Sequence, residues 1–477
     1  MKRVVSLAAF AALAACTESE DLSAITLSVI GATAKIEGSA SGTRTLPTAV
    51  LTNAIAQGLV GFDAKGRVEP ALAERWIVID GGRSLIFRIR HTVWSDGREV
   101  TSADVVDALK RAIASNQRYA GLFSNVDQIV AMTGQVVQIT LKTPQPALLQ
   151  LLAHPEMALF RAKSKYGSGP YRFHSAAKGV TRLRLAPILS NAEAVAANER
   201  DDVRIRGERA SVAIARFVSR DASLVLGGTF VDLPLARTAR ISANEFQVDP
   251  AYGLFGLAFV STDRALQPAK VRAALAMVID RERLVRSFGV NNWRPAYTIL
   301  PDPFEAAKPP AALDWAQLSF ENRLVRARRT LSEHRDLPVL RIALPKGPGA
   351  RLLFAALVSD WSKVGVKARL VDFGAPSDLR LIDEVAPMSS ATWYFDRLSC
   401  ARGLPCSEAG ETAFKAALST TSLDDRAISL AEADAAFSIN QPYIPLALPL
   451  RWALVAPRLS TFSPSAFAVH PLTQLRP

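Results

Sequence analysis

The chain has 477 residues and a formal net charge of +13, with 49% of its residues hydrophobic and 21% charged. That length supports two or three domains with their own cores, and the composition excludes a disordered chain. No internal run reaches the roughly 18 apolar residues of a membrane span. The arginines are scattered, as at Arg204 and Arg206 or Arg326, Arg328 and Arg329, which argues against nucleic acid and for a solvated basic face.

Met1-Lys2-Arg3 is a basic start, and Val4 to Ala15 is an apolar stretch too short to span a membrane, the layout of an export signal. It ends in Leu13-Ala14-Ala15-Cys16, which resembles the lipobox of bacterial lipoproteins. That resemblance implies lipid on Cys16; a plain signal peptide with a chance cysteine is the alternative. Thr17, not Asp, follows Cys16, so the resemblance carries no inner-membrane retention signal. Residues 17–23 read as a polar tether, and Ala24 to Ile30 alternates as a first strand should.

From Gly58 to Ala114 the pattern is dense. Glu69-Pro70-Ala71-Leu72-Ala73-Glu74-Arg75-Trp76 leads into a strand in which Leu85, Phe87 and Ile89 alternate with Ile86, Arg88 and Arg90. Trp94-Ser95-Asp96-Gly97 supplies turn residues. Thr101 or Ser102 then caps a helix whose apolar stripe is Val105, Val106, Leu109 and Ile113, with Asp104 placed for a weak capping box. Val136 to Leu141 reads as another strand. This block, Pro-x-Leu-Ala-x-x-Trp, Phe-x-Ile-Arg, Trp-x-Asp-Gly and Thr-x-x-Asp-Val, resembles the extracellular solute-binding proteins of ABC transporters, family 5, whose members capture oligopeptides, dipeptides and nickel chelates. Glu99 stands where that family usually has Pro.

Gly167-Ser168-Gly169-Pro170-Tyr171 resembles the family's Gly-Thr-Gly-Pro-Tyr. Tyr166 occupies the first glycine position of a nucleophile elbow, and no Lys-Ser/Thr follows for a phosphate loop, so a tight turn before a strand is expected. Residues 202–206, 223–227 and 254–259 read as strands, with 210–219 helical. Val271-Arg272 and Ala274-Leu275, followed by Ile279-Asp280-Arg281, resemble a second family signature, although Val260-Ser261 replaces the usual Asn after the preceding strand. Further on come a helical region 306–331, a strand 339–344, a helix 352–364 ended by Gly365, and a strand 366–373, and the stretch Ile444 to Leu450 followed by Trp452 to Val455 resembles the family's return to the first lobe. Alternating helices and strands argue for an α/β architecture.

His91, His154, His174, His334 and His470 lie far apart, so no metal site is expected. Adjacent carboxylates such as Asp201-Asp202, Asp383-Glu384 and Asp424-Asp425 point to different sides of any element and make poor acid–base pairs. Cys400 and Cys406, six positions apart in an exported chain, suit a disulfide; a metal site is the alternative. Trp393-Tyr394-Phe395-Asp396 resembles the Trp-x-x-Asp segment with which peptide-binding members hold a ligand's ammonium. Its alternative is a core strand ending in a solvated Asp396–Arg397 pair.

The resemblance implies a type II, cluster C periplasmic-binding-protein-like α/β fold with two lobes. Lobe 1 is expected from 24–46, 166–250 and 445–477, its inserted subdomain from 47–165, and lobe 2 from 251–444. It further implies a monomeric, non-catalytic, cofactor-free protein of the periplasm or cell envelope, lipid-anchored to a membrane through Cys16. Such a protein passes a peptide-like solute to an ABC permease and ATPase, with Trp393, Tyr394 and Asp396 as ligand contacts. An envelope α/β hydrolase, and a sensor or chaperone built on the same scaffold, are the alternatives.

Overall fold

A computed structural model describes residues 24–36, 44–162, 164–186, 202–334 and 336–475; the expected export signal and Cys16 lie outside the described residues. Two mixed sheets dominate. The first has seven strands, in the order Phe246–Val248, Arg451–Val455, Leu224–Thr229, Ile25–Ile30, Val203–Glu208, Val180–Leu185 and Tyr171–Ala177. Ile25–Ile30 runs parallel to both neighbours, and every other pairing is antiparallel. Leu27 and Val29 point to one face, where they form a core with Leu51 and Ile55 of the helix Leu46–Ile55.

The second sheet has five strands, ordered Ala368–Asp372, Leu340–Leu344, Leu379–Val385, Gly253–Phe259 and Tyr443–Ala447. Gly253–Phe259 is buried along its whole length, which is why it reads as a continuous apolar run. Strand Leu379–Val385 pairs with Leu340–Leu344 only at Leu379 and Arg380, so among the described residues its last five residues have strand partners on one side alone.

Between the two sheets the described chain passes twice, at 249–252 and 448–450. Each passage contains a proline, Pro250 and Pro449. They lie side by side, because the Asp249 amide donates to the Arg451 carbonyl at 3.0 Å.

A separate antiparallel sheet, Ala73–Ile79, Ser84–Ile89, Val136–Leu141 and Val126–Thr133, carries the helix Ser102–Ser115. Thr101 caps that helix, accepting from the Asp104 amide, and the Asp104 carboxylate returns the bond, so the full capping box forms. The helix Leu46–Ile55 packs on strands of the seven-stranded sheet, whereas Ser102–Ser115 packs on the subdomain. The subdomain's core continues into the second sheet's helices, where Leu122 and Phe123 share a cluster with Trp393, Leu398 and Phe414.

Two helical expectations shift. The region 306–331 is helical only from Phe320–Ser332, after a short turn Asp314–Gln317, because Pro309 and Pro310 interrupt the earlier part and Ser319 caps the helix. The segment 391–398 is a helix, Ala391–Leu398, rather than a strand.

Candidate functional site

Where the two passages meet, a cavity of about 210 Å³ opens between the sheets and the subdomain. Leu46, Ala49, Val50 and Asn53, spaced three and four apart, present one face of the helix Leu46–Ile55 to it. Opposite stands the end of strand Leu379–Val385, with Asp383, Glu384 and Val385. The subdomain contributes Tyr119 and His154, and Trp452 closes the floor.

Strand Leu224–Thr229 bends here. Its register against Arg451–Val455 shifts between Val225 and Gly228, and Gly227 holds φ +90°, a conformation that favours glycine. A Cβ on Gly228 would stand 2.0 Å from the Trp452 ring, so only a bare backbone lets the strand lie against that indole.

The charged groups on the walls are bound to one another. Arg451 donates from Nη1 to Asp383 Oδ1 at 2.7 Å and from Nη2 to the Asp383 carbonyl at 3.1 Å, joining the two sheets. Burial pushes the Asp383 carboxyl above its ordinary pKa despite the opposing pull of Arg451. Arg397 holds Glu384. Arg118 meets Glu156 at 3.2 Å, and Arg44 donates to the carbonyls of Pro155 and Glu156, each at 3.3 Å. Asp249 lies 3.2 Å from His470 Nε2 and accepts from the Ser465 amide.

The remaining wall groups are neutral. No hydrogen bond joins the Asn53 amide or the Tyr119 hydroxyl to another described residue, and the buried His154 Nδ1 likewise has no partner there. Burial, helped by Arg118, pushes the His154 pKa down to about 3, so its ring is uncharged. Burial also raises the Tyr119 hydroxyl pKa.

His470 is oriented by Asp249, but among the described residues no serine or cysteine side chain bonds to His470. Nor do the described residues contain a group of three His, Cys, Asp or Glu side chains able to hold a metal.

The residues singled out from sequence lie elsewhere. Trp393 and Tyr394 are buried in the core, the latter stacked on Phe304, and neither lines this cavity. Asp396 is bound by Arg402 and borders a second cavity of about 580 Å³ between the subdomain and the helices Ala391–Leu398 and Glu408–Ser419. Cys400 and Cys406 are disulfide-bonded just beyond that helix, with Cα atoms 4.7 Å apart. Asp383 and Glu384, expected to make a poor acid–base pair, both stand at the cavity. Alternation along a strand does send the two to different partners, and no sequence signal showed that those partners were arginines at a cavity. Asn53, Tyr119 and Arg451 carried no motif.

Residues 67–399 match the family described as "Bacterial extracellular solute-binding proteins, family 5 Middle". Among curated relatives, the "Di/tripeptide-binding protein 3" of Pseudomonas aeruginosa is 24% identical over 364 residues, covering 66% of each chain. The "Periplasmic oligopeptide-binding protein OppA" of Salmonella typhimurium is 24% identical over 63% of this chain and 59% of its own. The "Probable deoxycholate-binding periplasmic protein YgiS" of Escherichia coli is 34% identical, over 21% of this chain and 23% of its own. These alignments therefore span from about a quarter to two thirds of the relatives' lengths. Among solved structures, OppA of Burkholderia pseudomallei superposes with a TM-score of 0.78 at 18% identity, covering 95% of this chain and 98% of its own. The murein tripeptide binding protein MppA of Escherichia coli gives 0.76 at 16% identity, over 94% and 97%. At these identities the likeness establishes the fold, a two-lobed mixed α/β arrangement.

Proposed function

The chain belongs to the bacterial extracellular solute-binding proteins of family 5, and from that premise we propose that it is the substrate-binding component of an ABC importer, taking a short peptide or peptide-like solute. The observation that carries this reading is the cavity at the two passages, walled by both sheets and by the subdomain. A hinge there closes two lobes over a solute and excludes water from it. The names of two of the three relatives, for di-, tri- and oligopeptides, favour peptide chemistry, and the third is named for deoxycholate.

On this reading lobe 1 comprises the seven-stranded sheet (about 24–46, 166–250 and, past strand Tyr443–Ala447, 448–477, with the helix Leu46–Ile55 added). Lobe 2 is about 251–447, and the intervening residues to 165 are the subdomain. The protein works as a monomer without catalysis, in the periplasm, tethered by lipid on Cys16, and hands its solute to a permease and ATPase.

Native mass spectrometry of the freshly purified protein should reveal a bound peptide-like mass, and calorimetry should then return an affinity in the micromolar range or tighter. A protein that carries nothing and binds no member of a broad peptide panel at millimolar concentration would overturn the proposal.

A further inference from the structure

The cavity wall divides by charge. Arg44, Arg118, Glu156, Asp249, Asp383 and Glu384 all line it, and each is already engaged with a protein partner. The polar side chains left without a partner among the described residues, on Asn53, Tyr119 and His154, are all uncharged.

A solute with a free ammonium or carboxylate must be matched by a charge of opposite sign when water is excluded. Here that charge would have to be drawn out of an existing ion pair, or for Arg44 away from the Pro155 and Glu156 carbonyls, and stripping one partner from a largely buried pair is strongly destabilising. Amide groups carry no such demand. They need single donors and acceptors, which a carboxamide, a phenol and a neutral imidazole supply. Leu46, Val50 and Phe467 add apolar wall for side chains. The volume of about 210 Å³ lies below the roughly 300–1,000 Å³ of drug-sized sites, so the solute is short.

We propose that this cavity holds a short peptide-like solute without charged ends, cyclic or blocked at both termini, hydrogen-bonded through its amides to Asn53, Tyr119 and His154. The inference rests on the peptide-binding reading above and specifies its chemistry.

The test is calorimetry on ligand-stripped protein with matched panels: cyclic dipeptides, N-acetyl dipeptide amides, and the linear free dipeptides of the same side chains. One of the uncharged series should bind at least about tenfold tighter than its linear counterparts. That affinity should hold in high salt, since no ion pair forms with the solute. Tyr119→Phe, which keeps the buried ring, and Asn53→Ala should each weaken the uncharged solute by about three- to tenfold. Linear dipeptides binding as tightly as the uncharged series would overturn this inference and leave the peptide-binding function standing. Affinities unmoved in both variants would overturn the residue assignment. If none of the three series binds, this inference falls, and the peptide-binding function is decided separately by the co-purified mass and the broad peptide panel.

Discussion

Arg451 reaches from the seven-stranded sheet to Asp383 of the five-stranded sheet, bonding both its carboxylate and its carbonyl at 2.7 and 3.1 Å. Both side chains are 16% exposed, so the pair is largely dry. Removing one partner leaves the other charge buried, which typically costs about 3–5 kcal/mol. Urea unfolding of Arg451→Met should show a loss near the lower end of that range. The double variant with Asp383→Asn should be more stable than the two single losses predict. Losses that add within about 0.5 kcal/mol would mean that the two residues are not coupled.

Asp434 faces the opposite problem, a carboxylate with no cation. It is 2% exposed; Oδ2 accepts the Ala311 amide at 2.6 Å, and Oδ1 has no partner among the described residues. Burial raises its pKa from 3.8 to about 6. The unfolded chain therefore releases this proton before the folded one does, and stability falls as pH rises from about 4 to about 6, then stays lower. A shift of that size corresponds to roughly 3 kcal/mol. Asp434→Asn keeps an acceptor for Ala311 without the charge. It should stabilise the protein near neutral pH by up to about that amount, and the gain should vanish near pH 4. A gain that persists unchanged in acid would rule out the titration of Asp434 as its source.

The Cys400–Cys406 bond closes a short loop, and Arg402 inside that loop holds Asp396. Replacing both cysteines with serine should cost about 2 kcal/mol in thermal or chemical unfolding. Alkylation of the unreduced protein should label neither thiol, and labelling of both would count against the bond in the exported protein.

Because Asp396 borders a different cavity from the one at the passages, Asp396→Ala should bind the solute within about twofold of wild type. Exposed Asp302 serves as a control whose alanine variant should match it. If Asp396→Ala alone abolishes binding, the solute extends into the second cavity and the ammonium anchor suggested by the Trp393 to Asp396 segment regains its place.

Tethering has its own test. Cys16→Ala should move the protein from the membrane fraction to the soluble envelope fraction. Identical partitioning of the two forms would remove the lipid from the account. One acyl chain holds only weakly, so firm attachment needs more than one.

Much of the fold was legible because its signals are local. The capping box at Thr101 and Asp104 and the alternation through Leu85, Phe87 and Ile89 depend on near neighbours. The cavity is not local. Asn53 and Tyr119 are brought together with Arg451 only when strands far apart in the chain pair, and none of the three belongs to a motif. The aromatic run at 393–395 packs helix against helix, and apolar surface used that way looks from sequence like the wall of a pocket.

The two passages between the sheets are three and four residues long, lie side by side, and each carries a proline. On the two-lobe reading proposed above, so short a pair disfavours sliding or twisting and favours bending about one line. The lobes then act as long arms on a short axle. A slight turn at Asp249 and Arg451 becomes a displacement of several ångströms at the lobe tips. A membrane partner that grips both tips could therefore sense an occupied cavity from the spacing of its handholds, without touching the solute.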